Sequence, residues 1–191
     1  DVVSACKLGA CFGNVFKSPS VCVASDDNNY CKTVKLAFIS GLCSSGCDCF
    51  DIGSSFLSKL FYTALFCQLD FCFYFSINKN TVLLEIYNEN CEKLNVVSLY
   101  NLLFIYRKQK KEFIAFKDVK KVKQIKGLSK VYIRDLKSLI SSTDALKRYK
   151  VSSNNPIIEK LINQLLKANK PPNNSESKFG FSISNSGDNL T

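Results

Sequence analysis

The 191-residue chain contains no histidine, no tryptophan and no methionine, and it has only four prolines and three arginines. Without an imidazole near its pKa, Ser-His and Cys-His nucleophilic mechanisms and most catalytic zinc sites are closed. A catalyst built here has to work with carboxylates, lysine, tyrosine or a thiolate. The missing methionine and the first residue, Asp1, lead us to expect a mature or excised piece, with a removed signal peptide as the simplest cause and cleavage from a larger precursor as the next. Cysteine is absent from the last hundred residues, and acids are few there. Residues 1–90 carry six lysines against eight acids, and residues 91–191 carry twenty Lys and Arg against eight, net −2 and +12, which sum to the overall +10.

All ten cysteines lie in the first 91 residues: Cys6, Cys11, Cys22, Cys31, Cys43, Cys47, Cys49, Cys67, Cys72 and Cys91. Their number is even, and they crowd the part with the weakest periodicity. A disulfide framework in a secreted or lumenal protein is the expectation, since each bridge contributes about 2–4 kcal/mol where a core is thin. The spacings Cys6-x4-Cys11, Cys43-x3-Cys47-x-Cys49 and Cys67-x4-Cys72 contain no C-x2-C knuckle. Zinc through Cys43 and Cys47, a redox pair Cys47/Cys49, and plain buried thiols are the alternatives. No cofactor is expected.

Along the chain, residues 1–55 read as loop-rich, with one strand candidate over 33–39. Alternation over 65–77 predicts a half-buried strand. Turns at 78–80 and 88–90 separate it from strands over 81–87 and 96–106, and residues 107–111 predict a hairpin into a strand over 112–117. Helices are expected over 130–141, from Thr143 or Asp144 to Tyr149, and over 156–168 with Asn155 as N-cap and Pro156 at the first helical position. The fold class expected is α+β: a loop-rich, cysteine-bridged N-terminal part, an antiparallel β meander, and C-terminal amphipathic helices. The boundaries are 1–60 for the cysteine-rich region, 61–170 for sheet and basic helices, and 171–191 for a flexible tail. The apolar run 56–77 is interrupted by Lys59 and Asp70 and alternates, which disfavours a membrane span.

Between Arg107 and Lys150 stand fifteen basic residues and four acids. Lys108, Lys110, Lys111, Lys117, Lys120, Lys121, Lys123, Lys126, Lys130, Arg134 and Lys137 are the candidate anion-binding set, and the partner expected is an anionic macromolecule: a glycan, an acidic protein or RNA. Lysine forms poor bidentate contacts, so sequence-specific readout is not expected. Asn173 and Asn189 head glycosylation acceptor patterns, relevant only in a secreted chain. Asp26-Asp27 and the pair Asp48 and Asp51 read as loop carboxylates without calcium-loop spacing.

The first functional expectation is thus a non-enzymatic, secreted, disulfide-stabilised binding protein. The second is an intracellular viral or organellar RNA-associated protein with reduced or zinc-bound cysteines. The third is a histidine-free secreted nuclease using Glu112 with Arg107 and Lys111.

Overall fold

The computed structural model describes residues 1–108, 118–125, 127–139, 150–153, 156–166 and 180–183. The chain divides into two compact units, residues 1–55 with 60–125 and residues 56–59 with 126–191. In the first, helix α1 (Val2–Phe16) is followed by strand β1 (Ser20–Ser25), α2 (Asn29–Ser44), β2 (Asp48–Ser54), α3 (Leu57–Cys67), β3 (Phe71–Asn78), β4 (Thr81–Tyr87), α4 (Val96–Lys108) and β5 (Lys123–Gln124). The sheet order is β4-β3-β1-β2-β5. Strands β3, β1, β2 and β5 run parallel, and β4 pairs antiparallel to β3. This is a mixed α/β fold, and it overturns the expected cysteine-bridged antiparallel meander.

The differences have local causes. Residues 33–39 alternate on paper, yet Val34, Phe38, Ile39 and Leu42 are all buried while Leu36 is 57% exposed. That is helical period, and these residues sit inside α2. Asn28 caps it, its side-chain oxygen accepting from the amides of Tyr30 and Cys31. The 96–106 segment likewise forms α4, not a strand, with Leu102 as its buried residue. The alternating run 65–77 is cut in two: α3 ends at Cys67, Gln68 takes a left-handed φ of 52°, and only then does β3 begin. The strand over 81–87 and its turn are present as β4, joined to β3 by a two-residue loop in which Lys79 has φ 53°. Of the hairpin expected over 107–111, Arg107 and Lys108 instead end α4, and the rest of it, the strand over 112–117, the helix over 143–149 and most of the tail lie outside the described residues.

The N-terminal region is not loop-rich. β1 is buried on both faces, as a central parallel strand must be. On one face Phe12 of α1 meets Phe73 at 4.8 Å between ring centroids, and Phe38 of α2 meets Phe73 at 4.8 Å and Phe75 at 5.4 Å. On the other, Phe61 of α3 packs edge-on against Tyr87 at 4.8 Å. Helices α1 and α2 approach closely through glycine: a Cβ on Gly9 would meet the Phe38 carbonyl oxygen at 2.2 Å, and one on Gly41 the Cys6 oxygen at 2.0 Å. Leaving β2, the chain crosses back over β1 to reach β3, and the right-handed rule for parallel crossovers places α2 and α3 on opposite faces.

In the second unit, α5 (Leu128–Leu139) and α6 (Pro156–Leu166) pack together, and β6 (Lys150–Ser153) pairs parallel with β7 (Gly180–Ile183). Both helices fall where the apolar periodicity predicts them. Phe56 stacks at a tilt on Tyr132, 6.0 Å between centroids, and Lys59 Nζ donates to Ser129 Oγ at 2.9 Å. Among the described residues no helix is long and apolar enough to cross a membrane.

Candidate site at the carboxyl edge of the sheet

In an open α/β sheet a crevice forms outside the carboxyl ends of neighbouring strands whose following helices leave to opposite faces. Here those strands are β1 and β2. β1 ends in Ser25-Asp26-Asp27-Asn28, β2 in Gly53-Ser54-Ser55, and β3 closes the row with Ser76, Ile77 and Asn78.

Backbone bonds knit the row together. Asp26 N donates to Phe75 O at 2.8 Å and Ser55 N to Ser25 O at 2.9 Å. Tyr74 is the pivot: its hydroxyl donates to Asp26 Oδ1 at 2.7 Å and lies 3.1 Å from Ser55 O. The second Asp26 oxygen accepts from Ile77 N at 3.3 Å. The Asp26 carboxylate thereby ties the end of β1 to β3, and the Tyr74 hydroxyl extends the link to the end of β2. Beside it, Asp27 pairs with Lys32 in the first turn of α2 at 2.5 Å, and that bond, followed by the lysine charge, holds the Asp27 carboxyl below the usual carboxylate range.

Two further features mark the edge as more than a strand terminus. The hydroxyls of Ser25 and Ser55 are fully buried and have no hydrogen-bond partner among the described residues; such groups normally find one. Below them, Lys35 of α2, only 3% exposed, donates to Asp51 Oδ1 at 2.6 Å, and the same oxygen accepts from Gly53 N at 2.9 Å. A paired, hydrogen-bonded charge is the form in which a buried lysine persists. Removing either partner leaves the other ionised in apolar surroundings.

The cysteines hold no bridge: all ten are free thiols, which corrects the disulfide expectation for Cys6, Cys11, Cys22, Cys31, Cys43, Cys47, Cys49, Cys67, Cys72 and Cys91. Seven of them are buried, and they act as small apolar side chains. Cys43 lies in the last turn of α2, Cys47 in the turn that follows and Cys49 at the second position of β2, all three buried around Ser45-Gly46. Burial pushes the Cys22 and Cys72 thiols well up, and Cys47 up to about 11. Cys49 donates its hydrogen bond to Cys43, which raises Cys49 and lowers Cys43. Among the described residues no group of three Cys, Asp or Glu side chains is placed to hold a metal ion.

The basic residues fall into separate settings. In the first unit Lys108 lies over the Phe104 ring at 4.3 Å, Lys120 and Lys121 are exposed in extended chain, and Lys123 pairs with Asp48 at 2.9 Å, which lowers the Asp48 carboxyl. In the second, Lys130 and Arg134 are exposed on α5, Lys137 is half-buried, and Arg134 pairs with Asp135 at 3.0 Å. Lys110, Lys111, Lys117 and Lys126, and Glu112 of the nuclease reading, lie outside the described residues.

Sequence reasoning noted Asp26-Asp27 as loop carboxylates but missed Tyr74, Ser25, Ser55 and the Lys35–Asp51 pair. The available signal was the short apolar run 21–24 leading through Ser-Asp-Asp-Asn into a helix, which marks the carboxyl end of a buried parallel strand.

The comparisons agree with this geometry. The family model for "Phosphoglucomutase/phosphomannomutase, alpha/beta/alpha domain I" matches residues 3–81, which contain β1, β2 and β3 with their loops. A phosphoglucomutase/phosphomannomutase family protein from Burkholderia thailandensis superposes with a TM-score of 0.69 at 16% identity, covering 98% of this chain and 41% of that one. A protein from Thermus thermophilus described as a phosphomannomutase gives 0.70 at 10% identity, covering 100% and 52%. The chain thus spans about half the length, or less, of these structures. No curated protein sequence matches it. The reading as a non-enzymatic, secreted, disulfide-stabilised binding protein is overturned by the free thiols, by the family model and by these neighbours, and the fold is that of the alpha/beta/alpha first domain of phosphoglucomutase/phosphomannomutase enzymes.

Proposed function

We propose that this chain serves as the first domain of a sugar-phosphate mutase of the phosphoglucomutase/phosphomannomutase kind, with its share of the active site at the carboxyl edge of β1, β2 and β3. The observation that carries the proposal is the family match over 3–81, a stretch that contains every residue lining that edge.

Moving a phosphoryl group between two oxygens of one sugar is served by a protein hydroxyl that takes the group up and returns it. Four hydroxyls stand at the edge. Ser25 and Ser55 are sealed from solvent, and Ser54 is engaged with Asp27. Ser76, half-buried at the end of β3, is the accessible one. Its attack on a substrate phosphate forms the Ser76 O–P bond and breaks the sugar O–P bond. The sugar oxygen takes a proton, and the reverse step delivers the phosphoryl to a different sugar hydroxyl.

The edge is acidic, however. Asp26, Asp27 and Asp51 outnumber Lys32 and Lys35, and both lysines are already paired. A phosphate dianion needs cationic groups beyond this edge. That fits a chain spanning 41% and 52% of its two structural neighbours, and it leads us to assign catalysis to a larger whole.

The test is ³¹P NMR on the native protein purified from its own source, following interconversion of positional isomers of glucose phosphate and of mannose phosphate. Conversion is expected, with Ser76→Ala reducing kcat by about a hundredfold or more and Ser54→Ala far less. An inactive native protein with both sugars would defeat the mutase reading, and full activity in Ser76→Ala would defeat the serine assignment.

A further inference from the structure

On the α1 and α2 face of the sheet lies a half-open cavity of about 480 Å³. Its floor is Phe38 and Phe75, both fully buried, with Val34 and Leu84 beside them, and Tyr30 and Tyr106 stand at its rim. A space of this size falls within the range of about 300–1,000 Å³ that holds small molecules, and an apolar floor with a few polar groups at the mouth is the usual form of such a site.

The chemistry of the lining selects the ligand. Among the described residues no lysine or arginine side chain borders the cavity, and its one side-chain carboxylate, Asp1, accepts the Ser4 amide at 2.7 Å as the α1 cap. A charged group would lose its hydration against the apolar lining with no lysine or arginine side chain to replace it. The hydroxyl of Tyr30, a residue 51% exposed, has no hydrogen-bond partner among the described residues, and neither has that of Tyr106. Each phenol offers a polar anchoring point beside an apolar space. We propose that this cavity binds an uncharged small molecule with an aromatic or branched apolar body, seated among Leu8, Val82, Leu84 and Leu103, and one hydrogen-bonding end directed to the phenol of Tyr30 or Tyr106. The proposal does not rest on the mutase reading, since neither the serines nor the carboxylates of the edge take part.

The probe is N-phenyl-1-naphthylamine, an uncharged amine with an aromatic body, whose emission rises in apolar surroundings; the chain has no tryptophan to interfere. Titration of the intact chain is expected to give one saturable site. Val34→Phe, which fills the floor, weakens binding by about tenfold or more, and Tyr30→Phe by about threefold. Val97→Ser, on the outer side of α4 where Val97 is 71% exposed, leaves binding unchanged. Should Val34→Phe lose its cooperative melt, Leu103→Phe narrows the mouth from an exposed wall position and is expected to weaken binding likewise. Non-saturable uptake, undiminished affinity in the filled variant that folds, or loss of binding in Val97→Ser would each overturn the site.

Discussion

The two faces of the central sheet are covered by helices but built from different side chains. Toward α1 and α2 the layer is phenylalanine: Phe12, Phe38, Phe73 and Phe75 form a chain of edge-to-face contacts. Toward α3 it is thiol and tyrosine: Cys22 and Cys72 are directly paired across β1 and β3, with Tyr74 and Tyr87 along the same rows. The first face carries the larger apolar volumes and the closest helix contacts. The second offers fewer buried atoms per residue, and from it Tyr74 reaches out to Asp26. The contrast teaches that one sheet separates holding the fold together from presenting a site, with the burden of stability on the aromatic side.

The largest effect expected from that division is at Phe73, fully buried between Phe12 and Phe38. Phe73→Ala is expected to destabilise by about 3–5 kcal/mol in urea unfolding, because the surrounding rings cannot collapse into the space. Cys22→Ala, its counterpart on the thiol face, removes one sulfur and is expected to cost about 1 kcal/mol. Equal losses at the two positions would break the comparison.

A smaller effect tests why α1 and α2 can press so closely on the aromatic layer. Gly41→Ala drives a methyl into the Cys6 carbonyl oxygen, where the backbone leaves 2.0 Å. The helices must separate, loosening Phe12 and Phe38, at an expected cost of about 1–3 kcal/mol. An unchanged melting temperature would show that the crossing is not set by glycine.

How much of this was legible in the sequence depended on whether neighbours in space are neighbours along the chain. The β3–β4 hairpin could be read in part, because turn residues at 78–80 separate two β-rich runs, although β3 is buried on both faces and begins only at Phe71. β1 could not, since both its faces are covered and four apolar residues make too short a run to classify. α2 misled because Val34, Leu36 and Phe38 imitate strand alternation, and only the exposure of Leu36 reveals the helix. At the site, Asp26 was placed correctly in a loop, but its partner Tyr74 is 48 residues away and arrives only through the crossover that sets β3 beside β1. Nothing in a cysteine's spacing distinguishes a buried thiol from half a bridge, so composition alone pointed to the wrong chemistry.

The thiol face makes its own prediction in alkali. Burial, and secondarily the neighbouring thiols, raise the Cys22 pKa above the ordinary 9.0, and burial does the same for Cys72. In the unfolded chain both ionise near pH 9; in the folded chain they keep their protons. Above that pH the unfolded state binds fewer protons, so folding stability falls as pH rises, by about 1.4 kcal/mol per pH unit for each such thiol. Stability below pH 8 is untouched by them. Measured between pH 8 and 10, Cys22→Ala is expected to show a shallower loss than the parent chain, whereas Phe73→Ala keeps the parent slope at lower absolute stability. Identical slopes in parent and Cys22→Ala would show that this thiol is hydrated in the folded state.

The smallest effect separates the thiol reading from the bridged one most sharply. A bridge closing a long loop is worth about 2–4 kcal/mol, which reduction removes. If Cys22, Cys72 and the three cysteines around Ser45-Gly46 are buried thiols, excess reductant at neutral pH changes nothing that folding depends on. The melting temperature is then expected to be the same with and without it. Alkylation should follow exposure: Cys6 reacts first, because it is exposed on α1, while Cys22 and Cys72 react only as fast as the chain opens. A fall in melting temperature on reduction would mean that the thiol face is stapled, and the aromatic layer would lose its place as the main source of stability.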